Sequence, residues 1–218
     1  MVKENSTSID CGCVIHGDAY DWTYVDRLHS MLVRHLSNFG TLHVWTEAHR
    51  PVPDYVIKHN LDPMNVHWGW WYKMQLFNPA HYRGNLLYFD LDVVIVDSID
   101  WITQLDPHQF WTVKDFTYLQ RYPGWHGINS SVMWFNVDAM SYVWSQFESR
   151  HTQEHRGDQD FLNAVVKQRQ YFDEDKVLSW RWQAHDTSLN NLASILVFHG
   201  QPKPHELLDN VVVKQHWI

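Results

Sequence analysis

Cysteine is nearly absent from this chain: two in 218 residues. Cys11 and Cys13 stand two apart in DCGCVIH, so in an extended strand they share one face at a spacing that does not suit a disulfide. A disulfide-stapled scaffold is excluded, and both are expected to be reduced core thiols in a reducing compartment. Long apolar runs are missing too. None reaches the ~18 residues needed to cross a bilayer, and the opening MVKENSTSID is polar. A soluble, cytoplasmic protein is expected, with peripheral membrane contact as its one remaining link to a bilayer. Positive charge is scarce: 17 Lys and Arg against 25 Asp and Glu give a formal charge of −8 at pH 7. That balance repels polyphosphate, no basic stripe offsets it, and nucleic acid is not an expected partner. Repeats, low-complexity tracts and interdomain linkers are also absent. With 44% hydrophobic residues, the chain reads as one domain over 1–218, residues 1–9 forming a flexible N-terminus.

Aromatic residues are plentiful, with 13 Trp. Most are expected in the core, but sugars present flat C–H faces that pack on indoles. HWGWWY (67–72) and SWRWQ (179–183) therefore point weakly toward carbohydrate.

Strand and helix patterns alternate along the chain. CGCVIHG (11–17) reads as a strand, and residues 20–37 as a helix with Val25, Leu28, Leu32 and Leu36 on one side. TLHVWTE (41–47) is a second strand, followed by a Pro-punctuated loop at 49–56. WYKMQLFN (71–78) reads as a helix stopped by Pro79, and NLLYFD (85–90) as a strand buried on both faces. Further strands are expected at 110–115, 130–137 and 193–200, and helices at 138–150 and 158–169, each opened by a capping Asp. The alternation predicts an α/β sandwich with a mostly parallel central sheet.

Ligands of such sheets gather at the carboxyl ends of the strands. Asp90 directly follows the apolar strand, and Asp92 lies two residues on, facing the same side. Two carboxylates at the rim of an apolar sheet repel each other unless a cation joins them. A bare D-x-D is more often a turn or cap; after a buried strand it favours a hard divalent ion, Mg2+ or Mn2+, which takes oxygen ligands and can bridge to a diphosphate.

Four blocks in order, YKMQLFNPAHYRGNLLYFDLDVVIVDSID, INSSVMWFNVDAM, GDQDFLN and VFHGQPKP, make the chain resemble the GT-A fold glycosyltransferases, particularly those related to family 8, with glycogenin and the bacterial galactosyltransferases. The resemblance spans about residues 12–205. It implies transfer of a sugar from a nucleotide diphosphate donor, with a UDP-sugar as the family expectation, to a hydroxyl of a glycan, glycolipid or protein acceptor. Asp90 and Asp92 match the D-x-D pair and His199 the third metal ligand, with Mn2+ the implied cofactor and Mg2+ an alternative. Lys203 matches a diphosphate-binding lysine after Gly200, although the His199–Lys203 interval is shorter than in glycogenin-type chains. Lys73 matches a basic residue near the donor; it reads equally well as a solvated helix lysine. Asn129 and Ser130 match a strand start lining the sugar pocket, with Ser131 in place of a glycine. Asp158 and Gln159 match positions that contact the transferred sugar, and Asp158 is also a plausible helix cap. His16, Gly17 and Asp18 are the nearest candidates for holding the base. Retention of anomeric configuration is implied; inversion would need a carboxylate base, for which Asp158 and Asp160 are candidates.

Two other readings compete. FDLDVVIVDS resembles the first motif of haloacid-dehalogenase phosphatases, in which Asp90 would attack phosphate and Asp92 act as acid or base, although that motif normally follows the first strand of a chain. A noncatalytic carbohydrate-binding module would use the Trp clusters but has no need of the paired carboxylates, the His and the lysine together. Most of the 16 histidines, including His29, His35 and His49, show no ligand spacing. His126 is expected to border the acceptor side and His205 to lie near phosphate.

Overall fold

A computed structural model describes residues 8–66, 68–119, 122–185 and 193–218. Among them are ten strands: β1 (Ile9–Val14), β2 (Phe39–Thr46), β3 (Val56–Asn60), β4 (Asn85–Phe89), β5 (Val93–Ile95), β6 (Trp111–Lys114), β7 (Ile128–Asn136), β8 (Gln170–Tyr171), β9 (Val177–Ser179) and β10 (Ile195–Val197). Five α-helices accompany them: α1 (Trp22–His35), α2 (Val137–Gln146), α3 (His151–Glu154), α4 (Asp158–Val165) and α5 (Val211–His216).

The central sheet has the order β3-β2-β1-β4-β7-β6-β8. Its strands run parallel except β7, which is antiparallel to both β4 and β6. A smaller sheet, β5-β10-β9, lies beside it, with β10 antiparallel to β5 and parallel to β9. The expected α/β class with a mostly parallel sheet is the one found.

Both faces of the central sheet are covered, which explains why its strands read as unbroken apolar runs. Leu87 and Phe89 of β4 face a core shared with Leu28 and Leu32 of α1, while Leu86 and Tyr88 face a second core with Trp71, Phe77 and Phe161. Cys11 and Cys13 are free, fully buried and in the first of these cores, as their spacing predicts. Helix α1 starts where Asp21 accepts a hydrogen bond from the Thr23 N–H, 3.0 Å.

Several boundaries differ from those expected. The loop at 49–56 ends in β3, whose first residue is Val56. Residues Gly69–Phe77 wind as a 3-10 rather than an α-helix. Helix α2 is capped by Asn136, not Asp138, whose carboxylate instead accepts from Arg83 and the Gly84 N–H. Helices α2 and α4 end at Gln146 and Val165, four residues short of the expected ends. Of the expected flexible N-terminus, residues 1–7 lie outside the described residues and Ile9 already belongs to β1.

Candidate active site

The reversal of β7 builds the site. Because β7 runs against β4, its first residues lie at the edge where β4 ends, and the Asp90 N–H donates to the Ser131 carbonyl, 2.8 Å. Two segments distant in sequence, 90–92 and 129–131, are thus locked side by side. The second sheet adds a third: the Phe198 N–H donates to the Asp92 carbonyl, 3.0 Å, placing His199, Gly200 and Lys203 opposite the two aspartates. Gly200, at φ +73°, makes the turn after His199 in a region where L side chains are strained.

A cavity of about 850 Å3 opens over this edge, within the range of small-molecule sites. Of the expected residues, His16, Lys73, Asp90, Asp92, Asn129, Asp158, Gln159, His199, Gly200 and Lys203 line it. Ser130 lies one layer beneath, and Gly17 and Asp18 are exposed residues outside the wall, where Ala19 and Tyr20 stand instead. His126 does not line the cavity, although its neighbours Trp125 and Gly127 do. His205 is hydrogen-bonded to the Tyr24 hydroxyl and lies outside the wall.

Lys73 is buried at the cavity floor. Its Nζ is 2.8 Å from Asp90 Oδ1, 3.2 Å from Asp158 Oδ2 and 2.9 Å from Ser130 Oγ. The Ser130 hydroxyl in turn donates to Asp158 Oδ2, 2.5 Å, and the Tyr88 hydroxyl to Asp90 Oδ1, 2.7 Å. Burial pulls the Lys73 pKa down, but Asp158 and Asp90 outweigh it and the net shift is upward, so this ammonium stays charged. Asp158 is therefore not the helix cap: Gly157 precedes α4 as its cap residue, and the Asp158 side chain is committed to Lys73 and Ser130.

Asp92 is paired with Lys203, and the Tyr20 hydroxyl donates to the same oxygen at 3.3 Å. Burial and then the charge of Asp90 push its pKa up, against the pull of Lys203. Burial and the nearby Arg181 lower the His199 pKa to about 4, leaving a neutral imidazole at neutral pH. The ring stacks on Phe116, centroids 5.1 Å apart, and its Nε2 is hydrogen-bonded to Ser179 Oγ, 2.7 Å.

Two carboxylates and a neutral imidazole on one wall are donors of the kind Mn2+ or Mg2+ accepts, and the upward shift at Asp92 marks negative charge that a cation would relieve. The donor chemistry fits. Their grouping is looser: among the described residues no three His, Cys, Asp or Glu side chains form a ligand cluster, and the Lys203 ammonium is paired with Asp92.

Sequence reasoning missed Tyr20, Asp115, Trp125, Arg156 and Asn163, all of which line the cavity. Asn163 closes the GDQDFLN block without having been singled out, and Tyr20 opens the expected helix at 20–37; Asp115, Trp125 and Arg156 belong to no motif and arrive by topology. Asp90 follows the fourth strand of the chain rather than the first, where the phosphatase motif normally stands.

The strand order with its reversed β7 is that of the GT-A fold. Solved structures carry this likeness across nearly the whole chain. The galactosyltransferase LgtC, in complex with donor and acceptor sugar analogs, superposes with a TM-score of 0.71 at 14% identity, covering 95% of this chain and 93% of its own. The glycosyltransferase GlyE of Streptococcus pneumoniae TIGR4 gives 0.66 at 16% identity over 92% of this chain and 57% of its own. The bifunctional glycosyltransferase WbbM gives 0.61 at 12% identity, covering 91% and 47%. No protein-family model and no curated protein sequence matches the chain. No helix among the described residues is long and apolar enough to cross a membrane.

Proposed function

We propose that this chain is a metal-dependent glycosyltransferase that moves a sugar from a nucleotide diphosphate, most simply a UDP-sugar, to a hydroxyl of a glycan, glycolipid or protein. The observation that carries the reading is the floor of the cavity, where Lys73 joins Asp90 to Asp158 and Lys203 faces Asp92. A sugar-binding module needs no such interlocked charges; breaking a glycosyl–phosphate bond does.

As that bond breaks, negative charge grows on the leaving diphosphate and positive charge on the sugar. Asp90, Asp92 and His199 would hold the Mn2+ or Mg2+, which supplies Lewis-acid neutralisation of the leaving group. Lys203, on a short turn beside Asp92, brings a second positive charge to the same diphosphate. Asp158 lies across the floor with its carboxylate held by Lys73 and Ser130, which places it to face the cationic sugar. Gln159, beside it on α4, offers an amide to the sugar hydroxyls. His16, Ala19 and Tyr20 at the end of β1 form the wall for the base.

Every carboxylate lining the cavity already has a partner: Asp115 accepts from the Trp125 indole N–H, and Asp160 is paired with Arg156. With no unpartnered carboxylate among the described lining residues to act as base, the arrangement favours retention over inversion.

Calorimetric titration of UDP tests the reading. We expect binding with Mn2+ that weakens at least about tenfold, ~1.4 kcal/mol, with EDTA or in Asp92→Ala. UDP binding indifferent to both, or no binding, overturns it.

A further inference from the structure

Indoles are large apolar groups, and folding normally hides them. Of the 13 in this chain, three are exposed: Trp68 at 59%, Trp70 at 43% and Trp125 at 39%. The same three, and no other tryptophan, line the cavity. Exposure of this kind, confined to the rim of one pocket, marks a binding surface.

The rim is also built. Trp68 and Trp70 stack with ring centroids 5.0 Å apart and planes 8° from parallel. Gly69 between them packs directly against His16, since a Cβ there would lie 1.6 Å from that ring. The residue that separates the two indoles is thus pinned against the end of β1. Trp70 reaches across to Gly157, its Nε1 3.4 Å from where a Cβ would stand, and Gly157 immediately precedes Asp158. Trp125 folds over Gly127 and is anchored by its N–H to Asp115 Oδ2, 2.7 Å.

A second, independent feature lies on α4. Asn163 lines the cavity one helical turn beyond Gln159 and on the same face. Its Oδ1 is buried and has no hydrogen-bond partner in the structure. A buried acceptor without a partner calls for a donor from elsewhere.

We propose that Trp68 and Trp70, with Asn163 facing them from α4, form the acceptor subsite, and that the acceptor is a saccharide whose pyranose ring lies with an apolar C–H face on the indoles. Asn163 takes a hydrogen bond from a hydroxyl of that ring, and the reacting hydroxyl is directed toward the Asp158–Gln159 side. This rests on the transferase reading above, and it excludes an acceptor recognised through a peptide or lipid part alone. A nucleobase could stack on the same indoles, so the experiment separates the two.

Saturation-transfer NMR with maltotetraose, cellotetraose and methyl β-galactopyranoside as probes, with and without UDP, is run on the wild type, Trp68→Ala/Trp70→Ala, Trp68→Phe/Trp70→Phe and Asn163→Ala. Near-UV circular dichroism and the melting temperature confirm that each variant is folded. We expect transfer to the ring protons of at least one probe in the wild type, about tenfold weaker binding in the double alanine variant, partial rescue by phenylalanine, and weakening in Asn163→Ala. UDP affinity should stay within about twofold of wild type in all of them. Absence of transfer from the wild type to any probe overturns the subsite, as does equal transfer in the double alanine variant. Loss of UDP affinity in that variant assigns the indoles to the base and overturns it as well. Failure of wild-type UDP binding counts against the transferase reading instead, and the arm without UDP still decides the subsite.

Discussion

Lys73 is a charge buried among Trp71, Met74 and Leu76, and it persists there because two carboxylates and a hydroxyl surround its Nζ. Removing one partner from such a cluster leaves the others desolvated and uncompensated. Lys73→Met should therefore destabilise the fold by about 3–5 kcal/mol, read as a lowered urea midpoint at unchanged slope. A loss under about 1 kcal/mol would show that the three groups are not interdependent. Nothing in the sequence distinguishes this lysine from a solvated one, since burial of a single polar residue inside an apolar segment leaves no periodic mark. Asp90 and Asp92 were legible for the opposite reason: they interrupt a run that is otherwise wholly buried. Asn163 lies in the GDQDFLN block, but its part in the cavity, like that of Tyr20, becomes visible only once α4 and the segment after β1 are folded beside the aspartates.

Among the elements, β1 is closely packed at Gly12. At Gly12 an added Cβ would lie 3.0 Å from the Trp45 ring and 3.1 Å from Leu86 Cδ1, both buried side chains. Gly12→Val, although favourable to a strand in itself, should overpack the second core and cost about 1–3 kcal/mol, measured by thermal or urea unfolding. The long elements were readable because α1 shows its helical period over 14 residues and because β4 and β7 carry unbroken apolar runs. Strands β5, β8 and β9 have two or three residues each, too few for any period. The direction of β7 was hidden as well: a strand buried on both faces reads the same up or down. Yet that direction brings Asn129, Ser130 and Ser131 to the end of β4.

For the molecule as a whole, His59 contributes to the response to acid. His59 stacks on Trp45, centroids 4.4 Å apart, and its Nε2 lies 2.8 Å from His43 Nδ1; Tyr82, Asp10 and His81 complete the surroundings. Burial, then His43 and His81, lower its pKa from the ordinary 6.5 to about 4. Between those values the unfolded chain binds the proton that the folded chain refuses, so stability is full above pH 6.5 and falls as pH drops toward 4. The melting temperature should decline through that window, and His59→Asn should flatten the decline; an identical pH profile in the variant would refute the assignment. The pairing of Lys203 with Asp92 bears on the molecule at the same scale, because it joins positions 111 residues apart. On the proposed reading it imposes an etiquette of arrival. A divalent ion coming alone would have to evict an ammonium with no other anion to receive it, whereas one escorted by a diphosphate brings that anion along. On that reading the pocket would favour the ion and the nucleotide as a couple over either visitor singly.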